Sequence, residues 1–207
     1  MLNCHHIACD AYSLPQLLLD LKPNYENQNL PQIELQYIDY TIYEQQLFNS
    51  KTNNSFAKDA RSFWKQLLDR YDLNRQLLLP YDYLEVEQDL VQKISDYLTE
   101  MKVTKFQLFL TSYCVFLYKL TQGTDLCVGG VNANRYESVL ENLAGMFVNT
   151  IPNFHELKPT ETFNSIMKQV QKAYLEIKSY SYLPYQEIIT SCRNPEQQQH
   201  SPFLPFI

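Results

Sequence analysis

Residues 104–131 read TKFQLFLTSYCVFLYKLTQGTDLCVGGV, and this stretch decides the fold class. Thr104 with Gln107 three residues on is a capping-box signature, in which each side chain reaches the other residue's backbone N–H. The apolar run behind it predicts a helix to about Leu120, with Gly123 placed to end it. Residues 125–131 are then a second apolar run, with Gly129 and Gly130 inside it, and predict a strand.

The same alternation extends outward. Downstream, a further strand is expected at about 147–153. Phe163, Ile166, Met167, Val170, Tyr174 and Ile177 recur at helical spacing. Upstream, Leu90, Val91, Ile94, Tyr97, Leu98 and Met101 form one apolar stripe. Phe56, Ala60, Phe63, Trp64, Leu67, Leu68 and Tyr71 form another. Residues 37–48 read as an aromatic helix, 49–55 as a polar loop and 76–80 as a short apolar run before a turn. Ser13-Leu14-Pro15-Gln16 predicts a helix start, with its end near Asp20 or Leu21 before Lys22-Pro23-Asn24. Residues 193–200 read as a polar loop ahead of an apolar tail at 202–207. Helices alternating with a few strands give an α/β class.

A chain of 207 residues can bury a real core. The net charge of −6 and the lack of a dense Lys/Arg run argue against nucleic acid as a partner. The apolar run 106–120 is too short to span a membrane and carries Gln107 and Lys119. Five cysteines without a CxxC pair give no disulfide framework, and Cys114 and Cys127 read as small buried hydrophobes. With no N-terminal signal pattern, a reducing cytoplasm is the simplest reading. A phosphate-cradling Gly-rich loop, a Gly-x-Ser-x-Gly elbow and a His-Glu-x-x-His helix are all absent from the sequence.

What remains is a cluster at the start, His5-His6-Ile7-Ala8-Cys9-Asp10-Ala11, which holds half of the four histidines. Imidazole exchanges protons near neutral pH, and a nearby carboxylate can fix its tautomer or buttress its loop. With Cys4 and Cys9 the cluster could in principle ligate zinc. Adjacent histidines in an extended segment point to opposite faces, however, so no metal is expected. On the residues alone, proton transfer and a structural role both stay open.

The cluster resembles the His-His-x-x-x-Asp-Gly signature of condensation domains from nonribosomal peptide synthetases. Further motifs follow in the family's order. Tyr37-Ile38-Asp39-Tyr40 resembles its Tyr-x-Asp-Tyr segment. Phe63-Trp64 and Leu79-Pro80-Tyr81-Asp82 resemble its Tyr-Trp and Leu-Pro-x-Asp elements. Residues 128–135, ending in Ala133-Asn134-Arg135, resemble its Val-Gly-x-x-x-Ala-x-Arg strand and loop. Gly145-Met146-Phe147-Val148-Asn149-Thr150 resembles Gly-x-Phe-Val-Asn-Thr, and Leu183-Pro184-Tyr185-Gln186-Glu187 the later Pro-Phe-Glu element. Each motif is short, but their order is specific.

The resemblance implies a chloramphenicol acetyltransferase-like fold of two lobes with a tunnel between them, here mainly the second lobe in one partial domain over 1–207. It implies amide formation between an acyl or peptidyl thioester and an amino acid, each carried on the phosphopantetheine arm of a carrier protein. No cofactor is then bound directly, and the partners are carrier proteins and neighbouring synthetase domains. In the catalytic set, His6 is the implied general base toward the amine, or stabiliser of the charged intermediate. His5 is its support, and Asp10 is an ion-paired holder of the loop. Asn149 and Thr150 match a segment near the tunnel, with strand and lobe packing as their alternative role, and Ala11 would lie near substrate. Arg135 and Gly145 would be structural, Arg135 in a surface or interlobe ion pair. Two other readings share these residues: a noncatalytic module that docks carrier proteins, and an acyltransferase using coenzyme A thioesters.

Three departures from the family pattern carry expectations. Four residues precede His5, where the family places a first lobe. That lobe and the usual Arg partner of the signature aspartate are therefore expected to be missing, leaving Asp10 unpaired or borrowing another cation. The signature glycine is Ala11, unfavourable by about 1 kcal/mol if the position needs a positive φ. The segment between Asp82 and Leu90 is short, and 201–207 resembles a mid-lobe element, so the last strands of the family are expected to be absent.

Overall fold

The computed structural model describes residues 5, 8–29, 34–49, 55–69, 71 and 88–192. The expectations on His6, Cys4 and residues 76–82, on most of the segment to Leu90, and on 193–207 lie outside the described residues. In chain order the elements are α1 (Ser13–Tyr25), α2 (Tyr37–Phe48), α3 (Ser55–Leu68), α4 (Gln88–Met101), α5 (Lys105–Thr121), β1 (Asp125–Asn132), α6 (Ser138–Glu141), β2 (Asn149–Glu156), α7 (Phe163–Ser179) and α8 (Tyr185–Cys192).

The centre is an antiparallel pair, β1 against β2, in a register that sets Asp125 opposite Glu156 and Asn132 opposite Asn149. Successive strand residues face opposite ways. Leu126 and Val128 therefore pack into one cluster with Leu110, Cys114 and Leu117 of α5 and Ile166 and Val170 of α7. Cys127, between them, packs into another with Ile151, with Ala60, Trp64 and Leu68 of α3, and with Ile188 and Ile189 of α8. Burial on both faces is why β1 reads as an unbroken apolar run. It also drives the thiols of Cys114 and Cys127 upward, leaving both as inert hydrophobes. Gly130 is required by close approach: a Cβ there would stand 2.6 Å from Nδ2 of Asn153, whose side chain crosses the strand.

Trp64 is fully buried and its indole N–H donates to the Tyr180 carbonyl at 3.0 Å, tying α3 to the end of α7. α4 covers a third cluster, with Ile94, Tyr97, Leu98 and Met101 against Val103, Leu108 and Met167.

Local signals were met unevenly. The Thr104–Gln107 capping box forms as read, with both bonds present at 3.2 and 2.9 Å. α5 does not end on Gly123. Gln122 adopts the left-handed conformation (φ 57°, ψ 12°), its N–H returning to the Tyr118 carbonyl at 2.7 Å and its side-chain amide to Lys119 at 3.1 Å. Those bonds offset the roughly 1–2 kcal/mol that a Cβ costs there.

α1 runs past the expected stop to Tyr25, with Pro23 inside it. The missing N–H falls in the last turn, where only one bond is forfeited. Ser13 does not cap α1 through Gln16 either, because Asp10 and Gly145 claim its hydroxyl. β2 begins at Asn149 rather than near Phe147, since the Phe147 N–H is already bonded to Asp10.

Candidate functional site

The loop carrying the histidine cluster is clamped at Asp10. Oδ1 of Asp10 accepts from the Ser13 N–H (3.0 Å) and hydroxyl (2.8 Å), so the carboxylate serves the start of α1 as an N-cap does. Oδ2 accepts from the Phe147 N–H at 3.2 Å. Nη2 of Arg135 reaches Oδ1 at 3.0 Å and Oδ2 at 3.2 Å. Nη1 donates to the carbonyls of Leu140 and Leu143, the latter at 2.8 Å, and Nε is buried without a partner among the described residues. The Arg135 and Asp10 side chains are only 3% and 0% exposed. Burial alone would raise the Asp10 carboxyl. Hydrogen bonds from Ser13, Arg135 and Phe147, with the Arg135 charge, outweigh it and hold the group below its usual range.

Of the two expectations for Asp10, unpaired or borrowing another cation, the second is the one the structure shows. Its cation is Arg135, which lies in a buried pair rather than at the surface. The turn after β1 aims that side chain back at the N-terminal loop, with its guanidinium 4.1 Å from the centre of the Phe147 ring.

Gly145 receives the other side of this knot. Its N–H donates to the Ser13 hydroxyl at 2.9 Å, and its carbonyl accepts from the Asp10 N–H at 3.3 Å. A Cβ at this position would lie 2.2 Å from the Tyr37 ring. Tyr37 in turn donates to the Met146 carbonyl at 2.7 Å, and its ring meets Phe147 edge-on at 5.0 Å. Tyr40 packs on the same Phe147 ring at 4.7 Å. The segments 10–13, 37–40, 135 and 145–147, far apart in sequence, form one cluster.

Asn149 and Thr150 start β2. The Asn149 amide is fully engaged: Nδ2 donates to the Ser181 and Leu183 carbonyls at 2.9 and 2.8 Å, and Oδ1 accepts from the Tyr185 N–H at 3.0 Å. It anchors the turn into α8. Thr150 is half-buried and paired with Val131. Ala11 is exposed and carries no positive φ, so no left-handed penalty falls on it. With Tyr12, Pro15 and Leu19 it lines an open cleft of about 440 Å³. His5 is exposed, and its carbonyl closes a turn with the Ala8 N–H at 2.9 Å. His6 lies outside the described residues. Among the described residues no group of three or more His, Cys, Asp or Glu side chains converges as a metal site, and no helix is long and apolar enough to cross a membrane.

Sequence reasoning missed Ser13 and Tyr37 as members of this cluster. For Ser13 a signal existed, since an Asp three residues before it is itself a capping pattern. It also passed over His155 in β2, opposite Leu126, whose Nε2 is buried without a partner among the described residues. Burial lowers that imidazole to about 4.

The family model for the Condensation domain matches residues 1–206. The chain belongs to the condensation-domain family. Its fold is the chloramphenicol acetyltransferase-like fold of solved condensation domains. It superposes on the first condensation domain of the calcium-dependent antibiotic synthetase, held with a substrate analogue, with a TM-score of 0.73 at 17% identity, over 92% of this chain and 45% of that one. The X-domain from teicoplanin biosynthesis, in its complex with OxyB, gives a TM-score of 0.82 at 22% identity, over 96% of this chain and 48% of that one. The hybrid PKS-NRPS synthetase lepA of Aspergillus flavus is 26% identical over 219 residues, which is 98% of this chain. The match covers 5% of that synthetase's length, and the chain spans about half the length of the solved domains it superposes on.

Proposed function

We propose that this condensation domain takes part in nonribosomal peptide synthesis, forming an amide between a carrier-bound acyl or peptidyl thioester and the amine of a carrier-bound amino acid. The observation that carries the reading is the Asp10–Arg135 clamp. It fixes the loop bearing the two histidines onto the Gly145–Phe147 segment with a buried, fully bonded carboxylate. A carboxylate so engaged is a positioning group, which leaves proton handling to an imidazole.

In this reading His6 takes the proton of the attacking amine, or hydrogen-bonds the charged tetrahedral intermediate as it forms. The amine nitrogen bonds to the thioester carbonyl carbon, the carbon–sulfur bond breaks, and the thiol of the donor arm leaves with a proton. His5 and Asp10 support the loop. Thr150 and Ala11 belong to the substrate-facing side, while Asn149, whose buried amide is fully bonded to the turn into α8, joins Arg135 and Gly145 in the frame. The substrates arrive on phosphopantetheine arms, so carrier proteins and adjoining synthetase domains are the proposed partners.

The test is an assay with acyl-loaded and aminoacyl-loaded carrier proteins. Amide product that falls by about 10²-fold or more in His6→Ala is expected, the usual scale for losing general acid–base help. Carrier binding without product, unchanged by His6→Ala, would replace the reading with a docking module. Turnover of free acyl-coenzyme A would replace it with a coenzyme A acyltransferase.

A further inference from the structure

Outside the Asp10–Arg135 clamp, the described residues enclose a second cleft of about 330 Å³. Its walls include Tyr40, Phe48, Phe56, Tyr136 and Tyr182, with Glu44 among them. The aromatic wall is built rather than incidental. Phe56 and Tyr182 stack at 3.9 Å, and the Tyr182 hydroxyl donates to the Phe56 carbonyl at 3.1 Å.

Glu44 is half-buried, and its one described hydrogen bond comes from the Tyr40 hydroxyl at 3.0 Å. That hydroxyl is itself held by Nδ2 of Asn134 at 3.3 Å, so the carboxylate is aimed by a two-step relay. Among the described residues no cation pairs with it. Burial keeps the Glu44 carboxyl above its usual range, against the opposing pull of Tyr40. A half-buried carboxylate without a cation is costly, and the faces of Tyr and Phe rings attract cations. The other charged groups at the cleft are Glu137 and the exposed Lys178, so carboxylates outnumber ammoniums.

We infer that this cleft binds a primary ammonium attached to an apolar body, with Glu44 pairing the ammonium and the aromatic wall holding the body. The volume is at the small end of ligand sites and suits one amine of side-chain size. The inference stands on the cleft alone and survives failure of the amide-forming reading.

The experiment is calorimetric titration of the 207-residue protein with 2-phenylethylamine and, in parallel, with 2-phenylethanol, which has the same body without the charge. Saturable binding of the amine is expected, tighter than the alcohol by roughly tenfold or more. Glu44→Gln should bring the amine down to the level of the alcohol, and Lys178→Ala should preserve or tighten amine binding. Equal affinity for the two probes, no saturation by the amine, or an unchanged affinity in Glu44→Gln would overturn the inference. If Glu44→Gln does not fold by circular dichroism, the ratio of the two probes on the unaltered protein decides alone.

Discussion

Asp10 and Glu44 stand on either side of one aromatic pair and end in opposite states. The Phe147 N–H bonds Asp10, the Tyr40 ring packs on Phe147, and the Tyr40 hydroxyl bonds Glu44. Asp10 has a cation from its own chain and is pulled down; Glu44 has none among the described residues and is pushed up. One carboxylate is countered from within the fold and the other, among the described residues, is not. Where the fold supplies the countercharge, the group is a clamp. Where it leaves the countercharge out, as at Glu44, the group keeps a raised value and one hydrogen bond from Tyr40.

The largest way to break this comparison is to remove the supplied cation. Arg135→Ala leaves the Asp10 carboxylate buried with only Ser13 and Phe147 as donors, and should cost roughly 3–5 kcal/mol in urea unfolding. A loss under about 1 kcal/mol, the scale of a surface pair, would mean the clamp is loose.

Acid titration of stability separates the clamp from the rest of the core. His155 has its folded value lowered to about 4. The stability it contributes is full above the unfolded value of about 6.5 and is lost as pH falls toward 4. That loss is roughly 3 kcal/mol by the usual conversion. Asp10 is also lowered, so its contribution is present above its ordinary carboxylate value and is lost only as pH falls through a still lower folded value. His155→Phe should therefore remove the first loss and leave the second. A profile that keeps both steps in His155→Phe contradicts the assignment.

Gly145→Ala sharpens the packing half of the comparison. The added methyl meets the Tyr37 ring, and a cost of about 1–3 kcal/mol is expected, with part of it recovered in Gly145→Ala combined with Tyr37→Leu. The smallest effect belongs to Glu44. Its folded value is raised, so it disfavours the folded state once pH climbs past its unfolded value. Glu44→Gln should then be neutral or mildly stabilising at neutral pH, with the difference vanishing in acid.

How much of this was legible in the sequence depended on range. The Thr104–Gln107 box and the apolar run of β1 are local patterns, and both elements formed where they were read. The stop of α1 and the cap of α5 were local too, but a proline in a last turn and a left-handed glutamine break weak rules cheaply. The shift of β2 and the bond from Ser13 to Gly145 were illegible for a different reason. Each depends on a side chain reaching across more than 130 residues to a backbone group, Asp10 to the Phe147 N–H and Ser13 to the Gly145 carbonyl. The motif order brought Asp10, Arg135 and Gly145 into one argument. It pointed to the wrong place for the aspartate's cation, because nothing local says that the turn after β1 folds Arg135 back onto the loop.

The central claim is that Asp10 and Arg135 act as one clamp on the histidine-bearing loop. A double-mutant cycle with Asp10→Ala, Arg135→Ala and both, measured by urea unfolding, tests it most directly. The clamp predicts that the double variant loses less than the sum of the singles, by about 1.5–3 kcal/mol. Additivity within about 0.5 kcal/mol would contradict it.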